Sequence, residues 1–166
     1  MKRIARFEKV SEAQFCEGYR DCFGEDGAAV YGTLKLPRRA TAGSAGYDLC
    51  ACIDAPQTIE PGERCVFPSG LAAEIPAGTA GFVFTRSGLG IKKGIHVTNG
   101  VGVIDSDYRG EIMVSLHNHS DAVQEIADGE RIAQLVITPF LRAEFTETDE
   151  LSDTVRGEGG FGSTGS

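Results

Sequence analysis

"EIMVSLHN", Glu111 to Asn118, is the stretch whose reading decides the fold. In an extended chain Ile112, Val114 and Leu116 share one face, while Met113, Ser115 and His117 share the other. A period of two belongs to a strand with one buried face, and a helix cannot use it. Further short runs rich in Val, Ile and Phe lie on either side: "TAGFVF" (79–84), "GIHVTN" (94–99), "VGVID" (101–105) and "RIAQLVITPF" (131–140). Turn signals separate such runs at Pro61-Gly62, Pro76 to Gly78, Gly88 to Gly90, Asn99-Gly100, Ser120-Asp121 and Asp128-Gly129. Many short strands punctuated in this way predict an all-β barrel or sandwich.

A single segment carries a helical pattern. In "KVSEAQFCEGYRDCFGEDG" (9–27), Ser11 and Gln14 form a capping box, and Phe15, Tyr19 and Cys22 then recur on one face with Cys16 and Phe23 beside it. Gly24 and Gly27 end the run. The spacing predicts a short amphipathic helix near 12–22, packed on the domain proper.

With 166 residues the chain fits one domain with a real hydrophobic core. Its formal charge of −8 argues against general nucleic-acid binding, which needs a basic face. "MKRIARFEKV" has no apolar run behind its basic start, and no stretch approaches the roughly 18 apolar residues of a membrane span, so a cytoplasmic location is expected. The five cysteines read as reduced thiols packed in the fold; Cys50 and Cys52 form C-x-C without a spaced partner for zinc. His117 and His119 share a strand face but lack a third ligand at useful spacing, and read as structural.

Five stretches carry chemistry. The end of the chain, "RGEGGFGSTGS" (156–166), holds five glycines and formally matches G-x-G-x-x-G at Gly157, Gly159 and Gly162. The dinucleotide fingerprint needs a strand before it and a helix after it, and here the sequence stops. "NGVGVIDSDYRGE" (99–111) sets Asp105 at the end of an apolar run. A carboxylate so placed can activate water, or it can simply cap a turn. "TRSGLG" (85–90) joins the donor fork of Arg86 and the hydroxyl of Ser87 to glycines that let amides approach a phosphate, though an ordinary turn has the same composition. Gln134 in "GERIAQLV" and Asp48 in "AGYDLCA" interrupt apolar strands, facing either solvent or a ligand.

Together and in this order, "AGYDLCA" (45–51), "RSGLG" (86–90), "NGVGVIDSDYRGE", "GERIAQLV" (129–136) and "RGEGGFGSTG" (156–165) resemble the five motifs of the trimeric deoxyuridine triphosphate nucleotidohydrolases, the dUTPases. The resemblance covers about residues 31–166. Thr85 stands where proline is usual and Gly90 where alanine is usual, and neither change removes a reacting group.

The resemblance implies a dUTPase-like distorted jelly-roll or β-barrel at 31–152. An N-terminal extension with a short helix (1–30) precedes it, and a flexible Gly-rich lid (153–166) follows. It implies Mg²⁺-dependent hydrolysis of dUTP to dUMP and pyrophosphate, which supplies dUMP for thymidylate synthesis and keeps uracil out of DNA. Asp105 would orient and deprotonate the attacking water, and Tyr108 would fill the space of a 2′-hydroxyl. The hairpin from Asn99 to Asp105, with Asn99, Gly102, Val103 and Ile104, would read the uracil, helped by Met113. Arg86, Ser87, Gly88 and Gln134 would hold phosphates, and Asp48 would meet the metal through water. From the tail, Arg156 would meet the terminal phosphate, Phe161 would stack on uracil, and Gly162, Ser163 and Thr164 would add amides and hydroxyls. The resemblance further implies a homotrimer with shared sites: motifs one, two and four come mainly from one chain, the third from a neighbour and the fifth from the remaining one. Two alternatives share the fold: a dCTP deaminase-like relative, disfavoured by the Asp-Tyr pair of "DSDYRGE", and a regulatory protein-binding module, disfavoured by intact reacting groups. For a viral source the expected location becomes the host cytoplasm.

Overall fold

The structure is a computed structural model and describes residues 4–160. Its elements run β1 (Arg6–Lys9), α1 (Glu12–Phe23), α2 (Ala28–Tyr31), β2 (Tyr47–Cys50), β3 (Gln57–Ile59), β4 (Arg64–Pro68), β5 (Leu71–Glu74) and β6 (Thr79–Thr85), followed by α3 (Ser87–Lys93), β7 (Ile95–Val97), β8 (Val101–Ile104), β9 (Met113–Asn118), β10 (Gln124–Ile126) and β11 (Arg131–Pro139). A four-stranded sheet in the order β2-β11-β6-β8 faces a three-stranded sheet, β4-β9-β7, across the core; the pairs β1-β5 and β10-β3 complete the β-structure. The pairings are antiparallel.

The alternation in 111–118 is realised as predicted. Ile112, Val114 and Leu116 are buried while Met113 is exposed and Ser115 and His117 are half-buried. They meet Phe67, Leu49, Ile95, Ile132 and Leu135 in one cluster. Each such side chain contributes roughly 1.5–3 kcal/mol by leaving water, so the register of β9 is set by its apolar face.

Helix α1 forms where expected. Ser11 Oγ accepts from the Gln14 amide at 3.2 Å, and Gly24 ends the helix in the left-handed conformation at φ 75°, its amide donating to Arg20 O at 2.8 Å. Phe15 and Tyr19 are fully buried, and Phe23 bridges Tyr19 to Phe67 of β4 with ring centroids 4.8 and 5.9 Å apart. The Tyr19 hydroxyl donates to Asp54 Oδ1 at 2.6 Å and accepts from the Asp54 amide at 3.1 Å. Burial, and then the Asp54 carboxylate, push this phenol up to about 12.

Two helices escape the sequence reading. Helix α2 is one turn started by Asp26, whose Oδ1 accepts the Ala28 amide at 3.0 Å. Helix α3 is built on "SGLGIKK", whose glycines read as a turn. Tertiary anchoring overrides that propensity: Leu89 is buried, and Lys93 Nζ reaches Glu130 Oε1 at 2.8 Å and Glu125 O at 2.9 Å. The expected hairpin over Asn99–Asp105 is also absent. Strand β7 pairs with β9 and β8 with β6, so the turns at Asn99-Gly100 and Asp105-Gly110 are corners between sheets. A sequence shows that a turn is present, not which sheet the next strand joins.

Candidate active site

Three of the five motifs converge on one end of the four-stranded sheet. Gln134 of β11 stands directly opposite Asp48 of β2, which brings both side chains to one face. Arg86 follows the end of β6 and takes the N-cap position of α3. Its Nε lies 2.8 Å from Asp48 Oδ1, and Arg131 Nη1 lies 3.3 Å from Asp48 Oδ2. One half-buried carboxylate thus orients two guanidinium groups. Gln134 Nε2 donates to Thr85 O at 3.3 Å, which fixes the amide beside the same turn. A Cβ on Gly46 would sit 2.7 Å from Gln134 Oε1, so this glycine makes room for the glutamine. The amides of Ser87 and Gly88 are first-turn donors without an i−4 acceptor. Arg86, these amides and the Ser87 hydroxyl form a donor array suited to phosphate oxygens.

The third motif builds a different feature, between β8 and β9. A cleft of about 340 Å³ is lined by Thr98, Asn99, Gly102, Val103, Ile104 and Met113, among others. Next to it a second cleft, about 280 Å³, shares Val103, Ile104 and Met113 and adds Asp105, Tyr108 and Glu111. Tyr108 is locked: its hydroxyl donates to Glu111 O at 2.9 Å, and a Cβ on Gly110 would overlap that hydroxyl. Glu111 is itself buried, its Oε1 accepting the Gly70 amide at 2.6 Å. Burial holds its carboxyl above the usual range, against the pull of that amide. Asp105 therefore sits at the mouth of a half-apolar cleft whose floor and wall are fixed by backbone bonds.

Asp48 and the cleft residue Gly102 lie on the two edge strands of one sheet, whereas Arg86 and Ser87 follow β6, the strand that pairs with β8. Asp48 is on β2 and Gly102 on β8, three strand spacings apart, or roughly 14 Å. Neither cleft between β8 and β9 is lined by Arg86, Ser87 or Gln134. Arg156 lies on the exposed arm and bonds only locally, Nε donating to Gly159 O at 2.7 Å. Phe161, Gly162, Ser163 and Thr164 lie outside the described residues.

Two contributors were given no site role from the sequence. Arg131 grips Asp48, and Thr85 Oγ1 accepts the Val97 amide at 2.8 Å, stitching the turn that bears Arg86 to β7. Thr85 was read only as the departure from proline in motif two, yet a hydroxyl can do there what a pyrrolidine ring cannot. Burial lifts the thiols of Cys22 and Cys52 to about 11, which leaves them protonated and poor nucleophiles. The histidines gather more closely than their spacing suggests: His117 and His119 rings are 4.0 Å apart and His96 is 5.1 Å from His119. Among the described residues no group of three or more His, Cys, Asp or Glu is disposed to hold a metal ion.

Strand order and site together define an all-β protein with an anion-suited donor array and a separate half-apolar cleft. The sequence model of the dUTPase family matches residues 33–165, and the chain belongs to that family. It is 54% identical over 132 residues to the deoxyuridine 5'-triphosphate nucleotidohydrolase of Desulfitobacterium hafniense, covering 79% of this chain and 87% of that one. The enzyme of the same name from Burkholderia cenocepacia is 52% identical over 131 residues, covering 78% and 88%. Among solved structures, the Staphylococcus bacteriophage 80alpha dUTPase with dUPNHPP superposes with a TM-score of 0.79 at 25% identity over 99% of this chain and 100% of that one.

Proposed function

We propose that the chain hydrolyses dUTP to dUMP and pyrophosphate. The observation that carries this reading is the division of the molecule into a rigid donor array and an apolar cleft that ends on Asp105. The cleft accepts the uracil: Asn99 and the backbone around Gly102 to Ile104 offer donors and acceptors to its edge, and a wrong pattern leaves buried groups unpaired. The locked ring of Tyr108 packs under the deoxyribose and leaves no room for a 2′-hydroxyl. Asp105 accepts a proton from the water that attacks the α-phosphorus, and the α–β bridging oxygen leaves with pyrophosphate. Arg86, Ser87, Gly88 and Gln134 stabilise the charge that moves onto the leaving group. Arg156 meets the terminal phosphate, and contacts to uracil and phosphates are assigned to Phe161, Gly162, Ser163 and Thr164, which lie outside the described residues.

The donor set fits Mg²⁺ held by substrate and water rather than by a protein cage, since both oxygens of Asp48 are already engaged by arginines. Asp48 would meet such an ion through a water, and the ion would supply charge neutralisation on the phosphates. Neither cleft of one chain is lined by Arg86, Ser87 or Gln134, which suits a site completed between copies, as in the homotrimer that the resemblance implies.

The test is pyrophosphate release from dUTP with Mg²⁺, compared with dCTP, dTTP and UTP. Strong selectivity for dUTP is expected. Equal turnover of UTP would defeat the role given to Tyr108, and ammonia release from dCTP would replace hydrolysis by deamination.

A further inference from the structure

Helix α1 lies ahead of residues 33–165, the span that the family model matches, yet it is seated on the wall of the cleft that ends on Asp105. Its middle holds a glycine, Gly18. Glycine inside a helix is unfavourable relative to alanine, and an isolated one points to close packing. The packing partner is Glu111: a Cβ on Gly18 would stand 3.3 Å from Glu111 Oε2 and 3.9 Å from Met113 Cε. Cys22, one turn further along the same face, has its thiol raised to about 11 by burial, with smaller pushes from Cys65 and Glu111.

The start of the helix is tied to the same point. Val10, just ahead of the N-cap Ser11, donates its amide to Gly70 O at 3.0 Å, and the Gly70 amide donates to Glu111 Oε1 at 2.6 Å. Glu111 O in turn accepts the Tyr108 hydroxyl at 2.9 Å. Bonds and contacts therefore run without a break from α1 through Glu111 to the Tyr108 ring. Met113 lines both clefts between β8 and β9, so α1 meets their wall at a second point. Interiors are close-packed, and a shift of a few tenths of an ångström at Glu111 is passed on to what rests against it.

We propose that Gly18 is a positioning residue for sugar discrimination: it lets α1 seat against Glu111 and Met113, and this seat holds the Tyr108 ring where it excludes a 2′-hydroxyl. The role rests on the reading of the chain as a dUTP hydrolase. A methyl group at position 18 pushes Glu111 Oε2 away, and the acceptor of the Tyr108 hydroxyl shifts with it. The slot then opens beneath the sugar, and UTP gains on dUTP.

Gly18→Ala separates the seat from the fold, because alanine favours the helix itself. The ratio of kcat/KM for dUTP over UTP should fall about 5-fold or more, with KM for dUTP rising more than kcat falls. Gly32→Ala, just after α2 and with nothing within 4 Å of the added Cβ, should keep the wild-type ratio. Met1 and Met113 are the two methionines of the chain, so carbon-13 methyl labelling of methionine gives Met113 its own NMR signal. That signal should move in Gly18→Ala and stay in place in Gly32→Ala. An unchanged ratio, an unmoved Met113 signal, or equal losses in Gly32→Ala overturns the proposal. Should Gly18→Ala fail to fold, wild type carries the test: saturation with the dUTP analogue dUPNHPP should shift the Gly18 amide resonance, and an unmoved resonance overturns the proposal. If wild type releases no pyrophosphate from dUTP, the proposed hydrolysis falls, while the Met113 signal still reads the contact between α1 and the cleft.

Discussion

The donor array around Asp48 and the cleft between β8 and β9 are built by opposite means. Around Asp48 the functional side chains hold each other: two arginines share one carboxylate, and Gln134 is pinned to Thr85 O. Around Gly102 the functional side chains hold almost nothing. The cleft is shaped by backbone, by the buried Glu111 and by the Tyr108 bond to Glu111 O. A charged ligand needs donors aimed in advance, and ion pairs do that at low entropic cost. A flat uncharged base needs a shaped slot, which is the work of sheet geometry.

The comparison can be broken in order of expected effect. Asp105→Asn keeps the slot and removes the base, so kcat for dUTP should fall by about 10²–10⁴ while dUPNHPP affinity is kept. A variant that retained most of its turnover would move the base elsewhere. Arg86→Ala strips the array of its main donor and releases Asp48; a loss of roughly 10²–10³ in kcat/KM is expected, with the nucleoside region unaltered in uracil-ring contacts by NMR.

Away from the site, Tyr19→Phe deletes both bonds to Asp54 and should cost about 1–3 kcal/mol in denaturant unfolding. Because folding raises this phenol from 10.0 to about 12, its contribution is complete below pH 10 and is lost as the pH rises through 12. The wild-type minus Phe difference in stability should shrink over that window. A difference that stays constant would show that the hydroxyl is not what the fold holds. Smallest of all is Glu111→Gln. The amide oxygen can still accept the Gly70 N–H, and a carboxyl whose pKa is raised by burial contributes most when protonated, in acid, and least at neutral pH. The variant should match or slightly exceed wild-type stability at pH 7 and lose that advantage toward pH 4. A clear loss at neutral pH would mean the carboxylate charge itself is needed.

Much of this was legible in the chain. Alternation in "EIMVSLHN" and the cap at Ser11 report local geometry, which neighbouring residues fix. The motif residues Asp48, Arg86 and Gln134 could be named one by one, yet their convergence depends on strand order, which periodicity does not encode. The same gap hid the Arg131 bond to Asp48, the gathering of three histidines and the corners around β8. Helix α3 was missed for another reason: two glycines argue for a turn, and only the buried Leu89 and the anchored Lys93 argue back.

The central claim is that one chain holds two incomplete halves which complete each other between copies. It is tested most directly by mixing. Asp105→Asn and Arg86→Ala chains are unfolded, combined, refolded together and assayed for pyrophosphate release from dUTP. Each variant alone keeps about one hundredth of wild-type activity or less. The account predicts that mixed assemblies regain activity, because some sites pair an intact Asp105 from one copy with an intact Arg86 from another. No recovery, in a mixture shown to contain hetero-assemblies, would place both halves of each site in a single chain and contradict it.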